Sequence, residues 1–187
     1  MRNRPYNRCI FQRKWWFYRR FCLVQSSKIY VVLHLSCGKP TLQFRKTMGK
    51  YIICNFARSD WGKSKTLLKV IDLLKKRVVP ETEKLIDGYD KYAVFDFEKK
   101  RIVVITQGDP DSHQEECLNN AVKEKATIIV CASRTRGSTV DCIYKTAKNG
   151  YDVVWFSNLY ADDENLPCVK HFSEIMADAI VKLILKL

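Results

Sequence analysis

The chain has 187 residues, 47% hydrophobic and 28% charged, with a formal net charge of +13, which is enough chain for one domain with a buried core. The charge is unevenly placed: residues 1–47 hold eleven Lys or Arg and no Asp or Glu, the first acidic residue is Asp60, and the remaining 140 residues carry only +2. Basicity is therefore no evidence about the partners of the chain beyond residue 47, and eight cysteines without a C-x-x-C pair or paired His spacing argue against a zinc site.

Residues 1–47 read as a basic N-terminal extension, disordered or lying ahead of the true start. An arm with interleaved aromatics, Arg13-Lys14-Trp15-Trp16-Phe17-Tyr18-Arg19-Arg20, has the charge and stacking surfaces to bind nucleic acid or anionic lipid. An acid-free, Arg-rich start also suits an organellar transit peptide. A membrane span is disfavoured, because Gln25, Lys28 and His34 interrupt the apolar stretch 21–37. In the fourth reading translation begins at Met48, and Met48-Gly49-Lys50 leads into the first strand of the domain.

From residue 48 onward strands and helices alternate. The apolar run 51–56 is a strand, and 64–76 is a helix with Leu67, Leu68, Ile71 and Leu73 or Leu74 on one stripe. After Pro80 and a charged connection to Asp90 come 92–97 and 101–105. Only Glu98-Lys99-Lys100 separates them, too short a link for a crossover, so they form an antiparallel hairpin. The first alternates like an edge strand, and the second is nearly all apolar, like a buried one. Next is a helix over 113–123, with Ser112 as its cap and Glu115 at the capping-box position. A buried strand follows over 127–132, a helix over 139–148 stopped by Asn149-Gly150, and a fifth strand over 151–156. The helix 172–187 closes the chain with Ile175, Ala179, Leu183 and Ile184 inward. The expected fold is α/β, a three-layer, mainly parallel five-stranded sheet with an antiparallel edge hairpin. Ligands of such sheets bind beyond the carboxyl ends of the strands, so the polar segments 57–64, 106–112 and 133–139 are expected to meet at one cleft.

The segment Ala57-Arg58-Ser59-Asp60-Trp61-Gly62-Lys63-Ser64 lies between a strand and a helix, where backbone N–H groups and a helix dipole converge on one point. It resembles the Walker A loop of the P-loop NTPases, G-x-x-x-x-G-K-[ST], with Ala57 in place of the first glycine. The resemblance implies a compact nucleotide-kinase-like protein or small NTPase over 48–187 that binds ATP or GTP with Mg2+. Residues 57–64 and Lys65 would cradle the phosphates, Lys63 would reach the outer ones and Ser64 would hold the ion. The family's acid after four apolar residues is replaced here by Thr106, which leaves Asp109 or Asp111 as metal ligand and Gln107 to orient an attacking group.

Arg134 and Arg136 sit in a short Gly-containing loop and offer planar, permanent charges to phosphate oxygens, as lid arginines do in nucleotide kinases. Trp61 is a candidate for stacking on a base or shielding the phosphates. Tyr160 and the acidic run Asp162-Asp163-Glu164 are candidate pocket residues. Asp141 reads as a helix-dipole charge, and the three histidines show no metal or triad spacing. Two other readings stand beside the enzyme: a nucleotide-binding switch with little catalysis, and a nucleic-acid-binding protein acting through a genuine basic arm. Cysteines within apolar runs (Cys54, Cys131) suit a reducing, cytoplasmic compartment.

Overall fold

The structure is a computed structural model that describes residues 29–34, 41–46, 49–86, 88, 90–110, 112–161, 163 and 165–187. The chain divides into two units, Met1–Met48 and Gly49–Leu187. In the first, Ile29–His34 (β1) pairs antiparallel with Thr41–Lys46 (β2), with Ile29 opposite Lys46 and His34 opposite Thr41. The aromatic-basic run 13–20, Met48, Asp111, Asp162 and Glu164 lie outside the described residues.

The second unit runs Lys50–Phe56 (β3), Lys63–Lys75 (α1), Thr82–Leu85 (β4), Lys91–Phe97 (β5), Lys100–Ile105 (β6), Gln114–Lys123 (α2), Ile128–Ser133 (β7), Ser138–Ala147 (α3), Tyr151–Ser157 (β8) and Val169–Lys186 (α4). Its strands form one mixed sheet in the order β4-β5-β6-β7-β3-β8. β6, β7, β3 and β8 are parallel, while β4 and β5 add antiparallel strands at one side. The hairpin of β5 and β6 matches its short link, with Phe97 opposite Lys100.

Two expectations need correction. The sheet has six strands rather than five, and β5 is not its edge, because β4 covers it. β4 reads Thr82-Glu83-Lys84-Leu85, mostly exposed and without apolar alternation. Backbone pairing and ion pairs hold it instead: Glu83 meets Lys75 at 2.5 Å and Lys91 at 2.8 Å.

Pleating sends alternate β3 side chains to opposite faces. Ile53 joins Leu67, Val70, Ile71 and Leu74 of α1 and Ile180, Val181 and Ile184 of α4 in one core. Ile52 and Cys54 join Leu118 and Ala121 of α2 and Ile143 of α3 in the other. Each such fully buried aliphatic side chain contributes about 1.5–3 kcal/mol. The inward stripe of α4 is rotated from the expected one: Met176, Ala177, Ile180, Val181 and Ile184 are buried, while Ile175 is exposed. Both Ile175 and Met176 satisfy an apolar periodicity, and only packing against α1 decides between them.

This layering fixes where a ligand cleft can open. The helix after β3 lies on one face and the helix after its neighbour β7 lies on the other. The loops leaving β3 and β7 therefore part in opposite directions, which makes this the topological switch point of the sheet.

Candidate functional site

β3 runs one residue past its formal end, because the Ala57 N–H donates to the Ser133 carbonyl at 3.2 Å. Ala57 is buried, and its backbone stays out of the left-handed region. The turn places left-handed geometry at Asp60 (φ 60°) and Gly62 (φ 71°) instead. Asp tolerates that region better than most residues and glycine adopts it freely, so alanine at 57 brings no left-handed strain. Gly62 delivers the chain into α1, its carbonyl accepting from the Thr66 N–H at 2.9 Å.

The first turn of α1 has no side-chain cap and no acid. It carries Lys63 and Lys65, although a helix N-terminus is the positive end of the dipole. Lys63 is buried and folds back across the loop, its Nζ donating to the Arg58 carbonyl at 2.8 Å. Burial pulls its pKa below the ordinary lysine value; Asp109 and Asp60 act against that shift and Arg134 adds to it. Ser64 donates its hydroxyl to the Thr106 carbonyl at 3.0 Å.

Asn158, just beyond β8, fastens this turn. Its side-chain amide donates to the Trp61 carbonyl, and its Oδ1 accepts from Asn55 Nδ2 at 3.2 Å and from Thr66 Oγ1 at 3.1 Å. Its own N–H donates to the Phe56 carbonyl at 3.0 Å. Asn55, Thr66 and Asn158 are all buried and were missed as site residues from sequence. The one available signal was Asn55, a polar residue near the end of an apolar strand, which demands a partner.

The other two loops behave differently from each other. Thr106 sits where the resemblance asks for an acid, and its hydroxyl donates to Asp90 Oδ1 at 2.7 Å while accepting from the Lys91 N–H at 2.8 Å. It pins the start of β5, while its carbonyl accepts from Ser64. Gly108 passes so close to β7 that a Cβ there would stand 2.6 Å from the Ala132 carbonyl carbon. Ser112 does not cap α2; its hydroxyl donates to the Asp109 carbonyl at 2.6 Å, and α2 begins at Gln114 without a side-chain cap. After β7, Ser133 is buried and donates to Thr139 Oγ1 at 3.1 Å, which itself accepts from the Arg134 N–H at 3.1 Å.

The three segments do come together. A cleft of about 540 Å³ is lined by Arg58 and Ser59 after β3, Pro110 after β6, and Arg134, Thr135 and Arg136 after β7. Arg134, which lines it, donates its Nε to Asp109 Oδ1 at 2.8 Å. Trp61 turns away from this cleft towards Tyr160 and stacks on it, ring centroids 3.8 Å apart and planes 17° from parallel. The Arg58 guanidinium lies 5.5 Å over the Trp61 ring. Asp141 is exposed in the first turn of α3, as a dipole charge should be.

Magnesium is ordinarily held by one or two carboxylates plus substrate phosphates, with water completing the shell. Among the described residues no three His, Cys, Asp or Glu side chains cluster for a metal. Asp109 is paired with Arg134, and the Ser64 hydroxyl is bonded to the Thr106 carbonyl. Among the described residues no helix is long and apolar enough to cross a membrane.

What fold and site define is an α/β protein with a mixed, mostly parallel six-stranded sheet and a cation-rich cleft at its switch point. Comparison with protein-family models, with curated proteins and with solved structures gives no match.

Proposed function

We propose that the 49–187 unit binds a nucleoside triphosphate, ATP or GTP, together with magnesium, and acts as a phosphotransferase or NTPase. The observation that carries this reading is Lys63: a buried ammonium at the positive end of α1, bonded to the Arg58 carbonyl, favoured by Asp109 and Asp60 and opposed by its own burial and by Arg134. A phosphate chain over residues 57–65 relieves that opposition, pairing with Lys63, with the free N–H groups of the α1 first turn and with Lys65. Ser64 and Asp109 would hold the ion, which neutralises phosphate charge when bound. Arg134 or Arg136 then reaches the transferred group, where a fixed cation lowers the barrier by favouring developing charge.

The ion pair between Arg134 and Asp109 supports a second reading, a nucleotide-dependent switch with slow turnover, because it occupies both the acid and a candidate catalytic cation. Calorimetric titration of the full chain with ATP or GTP and magnesium, alongside phosphate release, separates the outcomes. Binding with turnover that Lys63→Ala and Asp109→Asn abolish supports the enzyme. Binding without turnover supports the switch, and absence of binding removes both.

A further inference from the structure

A second cleft, of about 290 Å³, opens on the β8 side of loop 57–62 and shares no lining residue with the first. Trp61, Gly62 and Lys65 form one wall, Asn158 and Tyr160 another, and Phe172 of α4 a third. Its chemistry is unlike that of the arginine cleft. Trp61 is engaged by Tyr160 and by the Arg58 guanidinium, which leaves the outer surface of Tyr160, 53% exposed, as the free aromatic surface of the column. An exposed aromatic stack beside a phosphate-sized turn is suited to a planar ring, since any base offers a π-face to stack. Gly62, the residue that leads into α1, and Lys65 of its first turn both line this cleft, so a ring here and phosphates there are within the span of one nucleotide. The volume is at the small end for ligand sites, which suits one base with its sugar and excludes a folded partner.

We propose that this cleft takes the base of the bound nucleotide, stacked on Tyr160 with Phe172 across from it; this rests on the phosphate reading above. Loop 57–62 then serves both ends of one ligand, its backbone facing the phosphates and its Trp61 backing the aromatic wall. Asn158 acts as a positioning residue between them, since it holds the Trp61 carbonyl and lines the cleft.

The test is to titrate the full chain, with magnesium, against inorganic tripolyphosphate, ATP and GTP in parallel, using wild type, Tyr160→Ala and Tyr160→Phe. Stacking of this kind is worth roughly tenfold to a hundredfold in affinity. At least one nucleotide is expected to bind at least tenfold more tightly than tripolyphosphate. Tyr160→Ala should remove most of that margin and leave tripolyphosphate affinity unchanged, while Tyr160→Phe keeps the margin. Equal affinity for nucleotides and tripolyphosphate in wild type would overturn the base site and leave the phosphate reading standing. Loss of tripolyphosphate binding in Tyr160→Ala would also overturn it, by showing that Tyr160 supports the loop. No binding of any of the three ligands to wild type would remove the phosphate reading and this one with it.

Discussion

The loops 57–62 and 106–113 leave parallel strands at the same edge of one sheet, each contains a glycine, and each feeds a helix, yet their polar groups are used in opposite ways. In 106–113, Thr106 bonds Asp90 and Lys91, Gly108 lies against β7, and the helix that follows carries Glu115 and Glu116 at its positive end. The start of that loop is tied down by these bonds, Asp109 is paired with Arg134, and the helix dipole is answered by the helix's own acids. In 57–62 the turn leads to a helix start with no side-chain cap and two lysines, and Lys63 Nζ donates to a backbone carbonyl rather than to a carboxylate among the described residues. The difference teaches that polarity at a strand end does not by itself mark a site. What distinguishes the first loop is a lysine buried at a helix start that carries no acid and no cap.

The largest effect expected is in loop 106–113. Gly108→Ala should cost about 3 kcal/mol of stability, because the new Cβ meets the β7 backbone, which cannot move without disturbing the sheet; denaturant unfolding reads this, and a near-neutral result would mean that the loop is looser than described. Beside loop 57–62, Lys63→Met should weaken tripolyphosphate binding at least tenfold, about 1.4 kcal/mol, without destabilising the unliganded protein.

The same lysine gives a pH test with a definite sign. Its folded pKa is lowered, so between that value and the ordinary lysine value the unfolded chain holds a proton that the native chain lacks, and stability rises with pH across that window. Lys63→Met should flatten the rise, as unfolding measured from neutral to alkaline pH would show. Ligand affinity should fall over the same window as the ammonium loses its charge.

Thr106→Val comes next. It removes two hydrogen bonds at the start of β5 and should cost about 1 kcal/mol with anion affinity unchanged; weakened magnesium-dependent binding would return Thr106 to the site. The smallest effect belongs to Glu115→Gln. It loses an exposed pair with Lys145 and a dipole partner, so the thermal midpoint should fall only slightly.

The alternation of apolar strands with amphipathic helices was readable because burial on both faces leaves continuous runs such as 102–105 and 128–132, and the three-residue link fixed the β5–β6 hairpin. β4 was unreadable, since its stability comes from backbone pairing and from ion pairs with α1 and β5. The spacing of the 57–64 loop was legible, but the positions of its left-handed turns, Asp60 and Gly62, were not. The Asn158 network was beyond sequence reasoning, for Asn55 and Asn158 are 103 positions apart and only the adjacency of β3 and β8 brings them together.

Amide NMR of the full chain titrated with magnesium tripolyphosphate tests the central claim most directly. The account predicts saturable shifts at Asp60, Trp61, Gly62, Lys63, Ser64 and Lys65, with Gln114, Glu115 and Glu116 of α2 unmoved. Shifts centred on the start of α2, or no saturable shift at residues 60–65, would contradict it.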